Sequence, residues 1–339
     1  MNRRSKRTAW CAGCLIAFAV AAANAAAAEK EASAVTPEAD RAVLRGLAFL
    51  AGRQHEDGSF GRNLYRGDAG VTSLAAMAFM ASGSMPGKGP YGEHVGGALD
   101  YVLRRARPDC FISGEDAQMN RPMYGHGFAV LFLAECAGMS RRTDLHRKLA
   151  AGVEVIVGCQ NQEGGWRYFP RPEDADISVS VCELTALRAA QNAGVGVPEE
   201  TIGRVVAYMR KCQNSDGGFM YQLSGGPSAV PRTAAAFVGF YNAGFYDAAV
   251  LDPAADYLQA APPDPADPFF FYACYYLSQA AHFRGGEFRA AVYPQMTALL
   301  LANQQPDGGW SSTIDRDCAT AMACLALLMP EAPLPIFQR

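Results

Sequence analysis

The sequence predicts an all-α chain built as a ring of six helical hairpins, and three observations carry that expectation. One short phrase, Gln-x-x-x-Gly-x-aromatic, occurs four times: Gln54 to Phe60, Gln160 to Trp166, Gln213 to Phe219 and Gln304 to Trp310. Successive glutamines are 106, 53 and 91 residues apart, so the two longer gaps are each close to two repeats. The segments flanking each phrase place apolar residues three and four apart, the period of a helix with one buried stripe. A fixed internal period marks units that bury their apolar faces only by stacking on neighbours.

Taken in order, Arg3, Arg4, Lys6 and Arg7 precede an alanine-rich apolar stretch ending in small residues. This is the three-part pattern of a secretory leader over residues 1–28, too short for a membrane span. The expectation is export to a secreted or periplasmic setting, with 29–40 a short linker and 41–333 a single repeat domain. Cys14 follows Ala12-Gly13, but the apolar core comes after it instead of before, which argues against a lipid anchor. Without the leader, 26 Lys and Arg face 33 Asp and Glu, a net charge near −7. That acidity argues against nucleic-acid and anionic-membrane partners. No later stretch is long and apolar enough to span a bilayer.

The first unit opens with Thr36-Pro37-Glu38, which offers an N-cap, a first-turn proline and a favourable acidic residue. Val43, Leu44, Leu47, Leu50 and Ala51 form one apolar stripe, and Asp57-Gly58 ends it. A second helix from Val71 stops at Gly83. Arithmetic places two degraded units near 107 and 261. Ala98 to Arg105 leading into Phe111 fits the first, and Ala254 to Leu258 leading into Phe269 fits the second. The second helices of units four (Thr233 to Phe240) and six (Ala319 to Leu327) carry small or apolar residues on nearly all sides, as a crowded inner ring requires. The first helices carry Arg and Lys on one face, as an outer ring in water would. Closure of the ring is an inference from the number six.

Eight cysteines lie beyond the leader, an even count that allows disulfides in an oxidising compartment. A chain of this length can also bury an adequate core without them, and both outcomes stay open. No Cys-x-x-Cys pair occurs and the five histidines are scattered, so no metal and no cofactor is expected.

Arg45-Gly46-x-x-Phe49-Leu50-x-x-x-Gln54-x-x-x-Gly58-x-Phe60 resembles the repeat of terpenoid cyclases and protein prenyltransferases, the prenyltransferase and squalene oxidase repeat. Phe stands there for the usual Trp, which Trp166 and Trp310 keep. The resemblance covers four units strongly and two weakly, and implies an α/α toroid in which each Gln and aromatic staples neighbouring helices. The prenyltransferase zinc site needs an Asp-x-Cys pair and a distant His; Asp317-Cys318 lacks the spacer and no His follows.

Candidate chemistry sits where second helices begin. Glu173-Asp174-Ala175-Asp176-Ile177 resembles the Asp-x-Asp-Asp segment of proton-initiated terpenoid cyclases, making Asp176 the candidate acid with Asp174 beside it. Ile177 replaces the next Asp. Asp315-Arg316-Asp317 repeats the pattern and Asp68 stands at a comparable point, so a recurring N-cap is the simpler reading. In unit two, Tyr124 and His126 lie among glycines where they could face a central cavity. The aromatic run Phe269 to Tyr276 offers Tyr272, Tyr275 and Tyr276 as ligand contacts, or as a plug. The leading expectation is a non-catalytic binding or scaffold module for an apolar, isoprenoid or lipid-like small molecule. The alternatives are a terpenoid cyclase-like enzyme using Asp176, and a polysaccharide lyase or hydrolase near Glu115, Tyr124 and His126.

Overall fold

The computed structural model describes residues 35–114, 121–140, 142–332 and 334–338. The expected leader, Cys14 and Glu115 lie outside the described residues. Among the described residues twelve α-helices follow one another: α1 (Pro37–Ala51), α2 (Ala69–Ala81), α3 (Gly92–Arg105), α4 (Pro122–Ala137), α5 (Leu145–Gly158), α6 (Ile177–Asn192), α7 (Glu199–Lys211), α8 (Val230–Asn242), α9 (Ala248–Ala260), α10 (Phe270–Arg284), α11 (Gly286–Ala302) and α12 (Arg316–Leu328). None of the described helices is long and apolar enough to cross a membrane.

Odd and even helices differ as the sequence polarity predicts. In α1 the Thr36 hydroxyl accepts from the Ala39 amide at 3.2 Å, Pro37 starts the helix, and only a stripe through Ala39, Val43, Leu47 and Leu50 is buried. In α2 every residue is buried. The even helices pack in sequence, α2 on α4, α4 on α6, and so on to α12, which packs back on α2. The ring is closed, and the odd helices surround it, with α1 seated mainly against α12.

The repeated phrase is the mechanical joint of each unit. The Gln54 amide nitrogen donates to Gly58 O and to His94 O in α3, both at 2.9 Å. Gln160 joins Gly164 O to Thr201 O in α7 at 2.8 and 2.9 Å, and Gln213 joins Gly217 O to Val250 O in α9 at 3.1 and 2.8 Å. Gln304 donates to Gly308 O and to Ala42 O in α1, both at 2.8 Å, closing the circle with the same bond. Each glutamine thus serves a turn carbonyl and a carbonyl in the first two turns of the next outer helix. The glycine follows from geometry: Gly58 has φ 90°, and a Cβ there would lie 2.2 Å from Gly97 O. The aromatics are fully buried, and their amides donate to hydroxyls of the following inner helix. Phe60 pairs with Thr72, Trp166 with Ser180, Phe219 with Thr233 and Trp310 with Thr320, all at 3.0 Å.

Both degraded units form hairpins where the period places them, α3–α4 and α9–α10. Helix α1 begins inside the stretch read as linker, because the Thr36 cap and Pro37 start it there. Burial continues past residue 333: Leu334, Ile336 and Phe337 pack over the C-terminal end of the inner ring, against α6. The eight cysteines from Cys110 to Cys324 stand as free thiols.

Candidate site at the mouth of the inner ring

All six inner helices start at one end of the toroid, and there they enclose a cavity of about 780 Å³. Its deeper wall comes from positions one to two turns inside the helices: Leu74 of α2, Phe128 of α4 and Met322 of α12. Its mouth comes from the loops that precede the helices, which contribute Tyr65, Tyr168 and Tyr221 with Asp68, Asp315 and Arg121, and from Arg232 in the first turn of α8. The space therefore runs from apolar inside to polar and aromatic at the entrance.

The expected site residues distribute unevenly. Tyr124 and Tyr272 line the cavity. Tyr275 and Tyr276 are each 1% exposed and lie outside the lining; Tyr276 packs 4.8 Å from the Tyr272 ring and 4.9 Å from Tyr275. The dense aromatic run is shared between cavity wall and core because an inner helix is enclosed on every side.

His126 does not reach the cavity. Its Nδ1 accepts from the Ile112 amide at 3.0 Å, and Nε2 donates to Gly152 O at 3.0 Å. Burial lowers its pKa to about 4, so the ring is neutral, with the proton on Nε2. Ile112 precedes His126 by 14 residues, as Trp166 precedes Ser180 and Phe219 precedes Thr233. His126 is the unit-two version of the hydroxyl staple, whose offset from the joint amide runs from 10 to 14 residues across the units.

Asp174 and Asp176 are not a carboxylic-acid dyad. Arg167 stands beside both, ion-paired with Asp174, which is half exposed, and 4.0 Å from Asp176 Oδ2. Asp176 Oδ1 caps α6, accepting from Ser178 N at 2.9 Å and Val179 N at 3.0 Å. Its Oδ2 is buried and makes no hydrogen bond of normal geometry, and burial raises the carboxyl to about 6 against the pull of the cap amides and Arg167. Asp176 lies outside the cavity lining. Near it are Tyr168 and Tyr221, whose hydroxyls bond to one another and which do line the cavity. These tyrosines follow Trp166 and Phe219 by two residues, a repeat position legible from the 53-residue period.

The aspartate N-caps that do line the cavity are Asp68 and Asp315, at the seam where α12 meets α2. Asp68 Oδ1 accepts from Val71 N at 2.9 Å; Asp315 accepts from Cys318 N at 2.8 Å and Arg62 N at 3.0 Å. Burial first, and for Asp68 the neighbouring Asp315 as well, raises both carboxyls, Asp68 to about 6. Asp317 instead faces outward along the seam, fully buried and held by Arg53, with the Gly61 amide at 3.0 Å. Among the described residues no group of three or more His, Cys, Asp or Glu is placed to hold a metal ion.

No protein-family model and no curated protein matches the sequence. Solved structures do match in fold. Type II terpene cyclase MstE from Scytonema, solved with its substrate geranylgeranyl dihydroxybenzoate, superposes with TM-score 0.60 at 16% identity, over 88% of this chain and 98% of that one. Cellobiose 2-epimerase from Bacillus thermoamylovorans gives 0.60 at 11% identity over 83% and 95%. An α-1,6-mannanase of Salegentibacter sp., solved with α-1,6-mannotriose, gives 0.59 at 9% identity over 85% and 97%. The α/α toroid implied by the repeat is thus the fold of this chain. Three enzymes with different substrates share it, so the likeness carries no activity.

Proposed function

We propose that the toroid binds a small molecule with an apolar body, inserted from the mouth of the inner ring. The single observation that supports this most is the cavity itself. At about 780 Å³ it lies within the size range of small-molecule pockets, and its polarity runs from an apolar interior at Leu74, Phe128 and Met322 to a polar entrance. An isoprenoid or other long hydrocarbon fits that gradient. The test is calorimetry and thermal unfolding with geranylgeraniol, comparing the natural chain with Ala319→Phe, which fills the cavity from α12. A ligand at about 100 times its Kd stabilises by about 2.7 kcal/mol. The natural chain is expected to gain that and the variant to gain nothing. Equal behaviour of the two proteins, or no binding by either, would remove the reading.

A second reading, proton-initiated chemistry at Asp176, is supported by the raised carboxyl and by a buried Oδ2 that faces Arg167 at 4.0 Å without a hydrogen bond. Asn caps a helix about as well as Asp, so Asp176→Asn keeps the fold while removing the acid. Product formation from an isoprenoid by the natural chain, abolished in the variant, is the outcome this reading requires.

A further inference from the structure

The cavity-binding reading leaves the polar end of the ligand unspecified, and the mouth carries a sign. Four carboxylates line the cavity, Asp68, Asp264, Asp267 and Asp315, against the two guanidiniums of Arg121 and Arg232. Arg121 lies over the Tyr168 ring, 4.6 Å from its centroid, and Arg232 donates to Phe219 O at 2.8 Å and to Pro227 O. Asp264 and Asp267 are engaged in their own loop, accepting from Ala266 N at 2.9 Å and Phe269 N at 2.7 Å.

Asp68 and Asp315 differ from these. They come from opposite sides of the ring-closing seam, and each is turned towards the cavity by its own cap bond. Asp315 uses its second oxygen on the Arg62 amide, whereas among the described residues no side chain bonds to the Asp68 carboxyl, which takes the Val71 and Gly70 amides. Elsewhere in the lining, towards Ser178 and Asp176, the Tyr272 hydroxyl is buried and makes no hydrogen bond of normal geometry. Tyr65 adds its ring to the lining beside the two carboxylates. Two like charges held together at the edge of an apolar space, with an aromatic ring alongside, are complementary to a cation of low hydration.

We propose that the cavity selects ligands whose polar end is an organic cation, a quaternary or protonated amine on an apolar chain, with the nitrogen seated between Asp68 and Asp315 beside Tyr65. This rests on the cavity-binding reading, and the test separates the two. Decyltrimethylammonium, 1-decanol and decanoate, each below its aggregation concentration, are titrated calorimetrically into the natural chain, Asp68→Asn, Asp315→Asn and the surface control Asp252→Asn. The ammonium is expected to bind at least about tenfold more tightly than the alcohol, and decanoate more weakly than either. Asp68→Asn and Asp315→Asn should each lose most of that preference while retaining alcohol binding and a cooperative unfolding transition, because Asn preserves the cap. Asp252→Asn should retain the preference. Equal affinity for ammonium and alcohol, or tighter binding of decanoate, overturns the cation assignment while leaving the cavity reading intact. Absence of binding by all three probes overturns both.

Discussion

The two ends of the inner ring are made by the same six helices and are built to opposite specifications. At the N-terminal end the connections into the inner helices run from 9 to 18 residues, and their side chains stand apart around a cavity. At the C-terminal end the connections run from 1 to 10 residues, and Leu334, Ile336 and Phe337 complete the packing. Long loops on a rigid scaffold are where variable chemistry is tolerated, and short turns with an apolar cover are where stability is made. On the proposed reading, binding belongs to one end of the ring and cohesion to the other.

The largest effect that can test this division is expected from Phe337→Ala. Phe337 is 1% exposed, and truncating a buried Phe costs about 3 kcal/mol or more. Urea unfolding should show that loss while affinity for a cavity ligand stays within twofold; a parallel collapse of affinity would mean the ends are not independent. Gln160→Ala comes next. It leaves Gly164 O and Thr201 O without their donor, and stability should fall by about 2 kcal/mol, as expected when buried carbonyls lose a hydrogen bond. A change under about 0.5 kcal/mol would show that the turn relaxes without its staple.

A further contrast is in pH. Each end holds a carboxyl raised mainly by burial, Glu135 to about 8 beside the Ile336 amide and Asp68 to about 6 beside Asp315. Glu135 also faces Cys136 and Tyr275; Asp68 faces Tyr65, Cys318 and the Gly70 and Val71 amides. In both cases the folded protein holds the proton more tightly than the unfolded chain, so stability falls as pH rises. The fall spans 4.5 to about 8 for Glu135 and 3.8 to about 6 for Asp68. Glu135→Gln should therefore melt above the natural chain at pH 9 and with it at pH 4. Asp68→Asn should show its advantage already by pH 7. Identical pH profiles for the two variants would erase the contrast between the ends.

Particular residues show where sequence reading succeeds and where it stops. Thr36 and Pro37 announce a helix start by local chemistry alone, and the structure starts α1 there. The phrase Gln-x-x-x-Gly-x-aromatic recurs because each unit meets the same joint, which made six units countable before any contact was known. His126 looked distinctive as a residue type, yet its 14-residue offset from Ile112 places it in the same joint. In Phe269 to Tyr276 the pattern offered no way to separate Tyr272 from Tyr275 and Tyr276. An inner helix is apolar all round, so periodicity has no polar face to measure against.

The sequence by itself determined the helical class, the unit length, the inner and outer polarity and the staples, because these are local or periodic properties repeated along the chain. Only the tertiary structure decided which N-caps share a cavity. Asp174 and Asp176 are two residues apart and are drawn to Arg167, outside the cavity lining. Asp68 and Asp315 lie at opposite ends of the chain and line one cavity. Closing the ring sets the last hairpin against the first, and no spacing rule along the chain encodes that meeting.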